Sequence, residues 1–171
     1  NGHFCVIDFD DALKITRNYS QVGKFRKREL RFIEEIFYKD ANIYGFKGKR
    51  QLHKITDRIN DNNIIKVPYT GNYLFKGESL EKYNELKKDI GEELVLTSGI
   101  RGIVKQFYLF LAKAHRYNGN MSLASRSLAP PGYSYHATGD FDVGQKGFGG
   151  ANFSVRFIST PVFQNLARQG Y

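Results

Sequence analysis

The chain has 171 residues, 41% of them hydrophobic and 25% charged. That is room for one domain with a real core, with or without an appended lobe. No apolar run is long enough to cross a bilayer, so the chain is not transmembrane, and a single cysteine, Cys5, excludes an internal disulfide and a thiolate zinc site. The formal charge is +9: an anionic partner or a solvated basic surface. The densest basic cluster is Lys24, Arg26, Lys27, Arg28 and Arg31. No zinc-finger spacing and no aromatic motif of the single-strand RNA binders accompanies it, so nucleic acid is not expected as a partner.

In chain order, Asn1 to Phe4 show neither a basic nor an apolar leader region; an export signal is either absent or already removed. Residues 9–19 read as a short helix, with Asp10 and Asp11 at its start. Residues 27–43 read as a stronger one, with Leu30, Ile33, Ile36 and Phe37 at helical spacing and Gly45 and Gly48 as its stop. Leu52, Ile55 and Ile59 predict a further helix over 49–60. Asp61 to Asn63 read as a turn, Ile64–Val67 as a short strand ended by Pro68. Leu80–Ile90 reads as an amphipathic helix stopped by Gly91, and Leu94–Thr97 as an apolar strand. Ile103–Tyr117 is a strong helix with Ile103, Phe107, Phe110, Leu111 and Ala114 on one face. Residues 118–135 read as loop, Phe141–Val143 as a strand and Gly144–Gly150 as a loop. Thr160 and Pro161 open a last helix that Gly170 closes. The mixture is α+β: a small antiparallel sheet flanked by helices, with a helical N-terminal region.

Four histidines occur: His3, His53, His115 and His136. The first three sit at a chain end or on polar helix faces and read as solvated. His136 lies in Pro130-Pro131-Gly132-Tyr133-Ser134-Tyr135-His136-Ala137-Thr138-Gly139-Asp140-Phe141-Asp142, where prolines and glycines fix the backbone and two carboxylates follow. If 140–142 is extended, Asp140 and Asp142 project to one face. Imidazole and carboxylate suit Zn²⁺; the alternative is an Asp-rich turn with a hydrogen-bonded histidine. A second locus, Thr97-Ser98-Gly99-Ile100-Arg101, joins a strand to a helix and puts a guanidinium where it can reach a cleft; the alternative is a surface arginine.

Together these loci resemble the zinc D-alanyl-D-alanine carboxypeptidase and dipeptidase family linked to vancomycin resistance, the LAS-type metallopeptidases, in its proteobacterial envelope branch. Ser98, Gly99, Arg101 and Gln106 stand at that family's spacing, with Ile100 replacing its Tyr. Ser134, His136 and Gly139 match its Ser-x-His-x-x-Gly run. The turn after His136 is one residue shorter than the family's, which makes Asp142 the metal-binding aspartate and Asp140 the reserve. The family's late Glu-x-x-His segment, with the catalytic Glu and the third ligand, has no counterpart up to Tyr171. The resemblance thus implies a chain that stops short of that segment and is poorly active or inactive alone.

The resemblance further implies Zn²⁺ on His136 and Asp142, Arg101 as the catalytic guanidinium, and Gln106 and Ser134 holding substrate. It implies a mainly helical region at 1–92 packed on a metallopeptidase core at 93–171. The substrates would be peptidoglycan stem peptides losing their terminal D-alanine, in the periplasm or envelope after export. A related L,D-carboxypeptidase, a wall endopeptidase, or a non-catalytic wall-binding protein of the same fold shares these motifs. The sequence sets no oligomeric state.

Overall fold

The structure, a computed structural model, describes residues 2–171. Its architecture is α+β, as the hydrophobic pattern predicts. The chain forms two compact units. One is built from His3–Asn60 and Arg101–Thr138, the other from Asp61–Ile100 and Gly139–Tyr171 with Gly2. Each has its own hydrophobic core.

The first unit is helical. Helix α1 (Phe9–Asn18) starts where the Asp8 carboxylate accepts the Asp11 N–H at 2.8 Å, which satisfies one of the helix's unpaired donors. Helix α2 (Lys27–Tyr38) ends sooner than its apolar periodicity suggests. Asp40 accepts the Asn42 N–H at 2.9 Å and opens a separate 3-10 turn, Ala41–Tyr44, closed by left-handed Gly45. A short polar side chain that bonds nearby backbone competes with a continuing helix. Helix α4 (Ile103–Arg116) brings Ile103, Phe107 and Phe110 into the core beside Phe9, Ile36 and Phe37. Phe37 and Phe110 are fully buried.

Two further expectations fail in this unit. Residues 49–60 are not helical but irregular, with one turn. Asp57 takes the N–H groups of His53 and Lys54 at 2.8 and 2.9 Å, while Gln51 and Leu52 donate to the Gly132 carbonyl at 2.7 and 2.9 Å. Leu52 and Ile55 still face the core, so the spacing reports burial and not helix. The expected loop 118–135 contains a five-residue helix, α5 (Met121–Ser125), capped by Asn120.

The second unit holds helices α3 (Glu78–Ile90) and α6 (Pro161–Gln169) and two antiparallel strand pairs. β1 (Ile64–Lys66) pairs with β2 (Tyr73–Phe75), a strand the sequence pattern does not reveal. β3 (Leu94–Ser98) pairs with β4 (Asp142–Gln145), with an irregularity between Leu96 and Ser98. Burial alternates along β3, as a half-buried strand requires; Leu94 and Leu96 enter a core with Leu74, Tyr83, Leu86 and Val162. β4 starts and ends later than expected, taking in Gly144. A side chain at 144 would run into Asn152 and the Thr97 methyl, so glycine here serves packing within the sheet and not a loop.

Candidate functional site

The residues singled out in the sequence fall in both units. Arg101, Gln106, Ser134 and His136 belong to the first, and Asp140 and Asp142 to the second.

In the first unit, three of them form one hydrogen-bonded assembly. The chain leaves β3 at Ser98 and enters α4 at Ile103, with Arg101 between. Arg101 donates its N–H to the His136 carbonyl at 3.0 Å. The Gln106 amide donates through Nε2 to the Arg101 carbonyl at 2.7 Å and accepts the Gly132 N–H on Oε1 at 2.9 Å. Gln106 is 3% exposed. Expected as a substrate contact, it commits both ends of its amide to main chain and fixes the Arg101 and His136 segments relative to each other.

The His136 loop is held from its other side by Arg50. Its guanidinium donates to the carbonyls of Phe37 and Lys39 at 2.7 and 3.2 Å and to the Tyr133 hydroxyl at 3.1 Å. It also lies 4.5 Å from the Tyr133 ring centroid and 5.2 Å from that of Phe37, within cation–π range. The Tyr133 hydroxyl accepts the Ala41 N–H at 3.2 Å. Gly132 sits at φ +89°, and a side chain there would meet the Phe37 ring at 2.9 Å. Only glycine takes that conformation readily. Sequence reasoning missed Arg50, which reads as one more dispersed cation, and nothing in its spacing marks it.

Ser134 is buried and opens the 3-10 turn Tyr135–Ala137 that carries His136, without its hydroxyl capping that turn. His136 itself is partly exposed. His3, His53 and His115 are exposed, as expected of solvated histidines, although His53 lies in a turn and not on a helix.

In the second unit, Asp142 is the first residue of β4 and pairs with Ser98 across the sheet. Main-chain pairing therefore fixes it. Asp140 lies before the strand and is exposed, so strand alternation does not place the two carboxylates on one face. Ile100, at the position of the family's Tyr, is buried at 2% exposure and donates its N–H to the Tyr73 carbonyl at 2.8 Å.

Among the described residues, no three His, Cys, Asp or Glu side chains form a group able to hold a metal ion. One imidazole and one carboxylate suit Zn²⁺ in kind but fall short of the three protein ligands usual at a catalytic zinc. The donors seen do not by themselves make a zinc site, and no catalytic step follows from one. What the first unit does provide is a guanidinium and an imidazole on two segments locked by a buried amide. A guanidinium is suited to a carboxylate or to an oxygen gaining negative charge.

Among the described residues no helix is long and apolar enough to cross a membrane. No curated protein and no solved structure gives a significant match to the chain. Residues 76–171, more than half of its length, match the model of the D-alanyl-D-alanine carboxypeptidases named VanY, and the chain belongs to that family.

Proposed function

We propose that this protein removes the terminal D-alanine from peptidoglycan stem peptides with the help of a bound Zn²⁺. The observation that carries the reading is the Arg101–Gln106–His136 assembly, set within a chain of the carboxypeptidase family. In this reading His136 is a metal donor and Asp142 the carboxylate donor, with Asp140 in reserve; the pair needs at least one more donor to bind zinc tightly. Arg101 receives the substrate's terminal carboxylate or its scissile carbonyl oxygen. Ser134 helps hold the peptide, and Gln106 acts through the loop it fixes. The +9 charge suits an anionic wall meshwork, and the envelope is the setting in which such a substrate is met.

The test is mass analysis of muropeptides incubated with the full-length protein before and after chelation. Loss of a single D-alanine from a pentapeptide stem, abolished by chelator and restored by Zn²⁺, is the expected result. Release that ignores chelation contradicts the metal reading. Loss of the terminal D-alanine from a tetrapeptide stem instead points to an L,D-carboxypeptidase, cleavage at an internal bond to an endopeptidase, and binding without cleavage to a wall-binding protein.

A further inference from the structure

The first unit carries a second feature, unrelated to the residues just described. Between α1 and α2 the chain makes a turn closed by the Val22 N–H to Tyr19 carbonyl bond at 3.1 Å, followed by left-handed Gly23. The end of α1, this turn and the start of α2 carry the cations Arg17, Lys24, Arg26, Lys27, Arg28 and Arg31, all exposed. Among the described residues none of the six takes part in a salt bridge. Of the acids on α2, Glu29 turns its carboxylate back to the Arg26 N–H at 2.7 Å and Glu35 pairs with Lys39 at 3.0 Å.

Large apolar side chains stand among these cations. Val22 is 61% exposed, Tyr19 58%, Phe32 45% and Phe25 39%. On α2, Arg28 is followed by Arg31 and Phe32 three and four residues on, so these lie on one helix face, while Ile33, Ile36 and Phe37 fill the core face.

Two physical points speak against a merely solvated surface. Cations at the first turn of a helix are disfavoured by its dipole, so Lys27 and Arg28 are not there to stabilise α2. Val22 and Phe25 gain nothing from water. Apolar and aromatic tips flanked by Lys and Arg are the composition of a segment that lies in a lipid interface, its cations at the headgroups and its tips just beneath them. A nucleic acid would use the cations and could stack on the rings, but has no use for Val22 at the turn.

We propose that the 17–32 segment docks the protein on an anionic bilayer surface. This is independent of the catalytic reading, since none of these residues belongs to the Arg101–Gln106–His136 assembly. The experiment is co-sedimentation with phosphatidylcholine vesicles, with and without phosphatidylglycerol, over a salt series. Binding is expected only to the anionic vesicles and falls with salt. A Lys24→Ala, Lys27→Ala, Arg28→Ala triple variant should bind on the order of a hundredfold more weakly. A Val22→Ser, Phe25→Ser double variant, with every charge kept, should lose on the order of tenfold. Both variants change exposed side chains, and thermal melts check that they remain folded. Failure to sediment with anionic vesicles at low salt overturns the proposal. So does full binding by the double variant together with equally tight binding of single-stranded DNA, which would make the segment a general polyanion site. D-alanine release from a soluble peptide should be the same in both variants as in the parent, which separates this result from any failure of the peptidase reading.

Discussion

The two units hold their candidate residues by opposite means. In the first, irregular main chain is fixed by side chains: Arg50 on Tyr133 and on the end of α2, Gln106 between Arg101 and Gly132. In the second, Asp142 is fixed by backbone pairing of β4 with β3. In a loop held by a few side chains, each of those side chains becomes indispensable. A strand pair is robust to side-chain change and leaves its carboxylate where the ladder puts it.

The contrast predicts unequal sensitivity to mutation. The largest effect is expected from Arg50→Ala, which removes three charge-assisted hydrogen bonds and two ring contacts. We predict a loss of about 3 kcal/mol in urea unfolding, with only partial recovery in Arg50→Lys, since an ammonium lacks the planar fork. A loss below about 0.5 kcal/mol, the range of an ordinary surface change, would show that the loop is held otherwise.

Next comes Gln106→Leu, similar in size but unable to bond. It leaves the Gly132 N–H and the Arg101 carbonyl without their partner, at a cost of about 2 kcal/mol. Faster amide exchange at Gly132 is the accompanying signature; unchanged exchange there would contradict the assigned role.

In the second unit the sign reverses. The Thr97 hydroxyl is buried and, among the described residues, without a hydrogen-bond partner. Thr97→Val removes an unsatisfied group and keeps the shape, so stability should hold or rise by up to about 1 kcal/mol. A clear loss would mean that the hydroxyl bonds to something in solution.

The smallest effect concerns Glu92, whose carboxyl is held below the usual carboxylate range by the Lys87 ammonium at 2.9 Å. A lowered folded-state pKa gives stabilisation that is present above the unfolded-state pKa and disappears as pH falls through the folded-state value. Glu92→Gln should therefore cost slightly at neutral pH and nothing in acid, read from thermal melts at both; an equal cost at both would leave the pair without a role.

The same contrast governs what the sequence reveals. Helices α1, α3, α4 and α6 follow from apolar periodicity and end signals such as Thr160-Pro161 and Gly170, and β3 from its apolar run. These are short-range properties. The irregular course of 49–60 is not readable, because two of its amides, those of Gln51 and Leu52, are claimed by Gly132, far along the chain. β2 is only three residues long, of which Leu74 is the buried one, so it carries too little pattern to detect. The assembly of each unit from two separate stretches leaves no mark on composition.

Of the candidate site, His136 and Arg101 stand out from their neighbours in the sequence, because proline, glycine and carboxylate crowd around one and a strand-to-helix junction carries the other. What holds them does not stand out. The Arg50–Tyr133 bond spans 83 positions and the Gln106–Gly132 bond 26, and both partners in each pair are residue types common elsewhere in the chain. The early start expected for β4 has a local cause: Phe141 packs on the core of the second unit without entering the ladder.

The most direct test of the central claim is the rate of D-alanine release from a stem pentapeptide by the His136→Ala variant of the full-length protein beside its parent, with folding checked by thermal melt. Loss of all measurable release, at an unfolding midpoint close to the parent's, is the predicted result. A folded His136→Ala protein that releases D-alanine at the parent's rate would contradict the assignment of this imidazole to the chemistry.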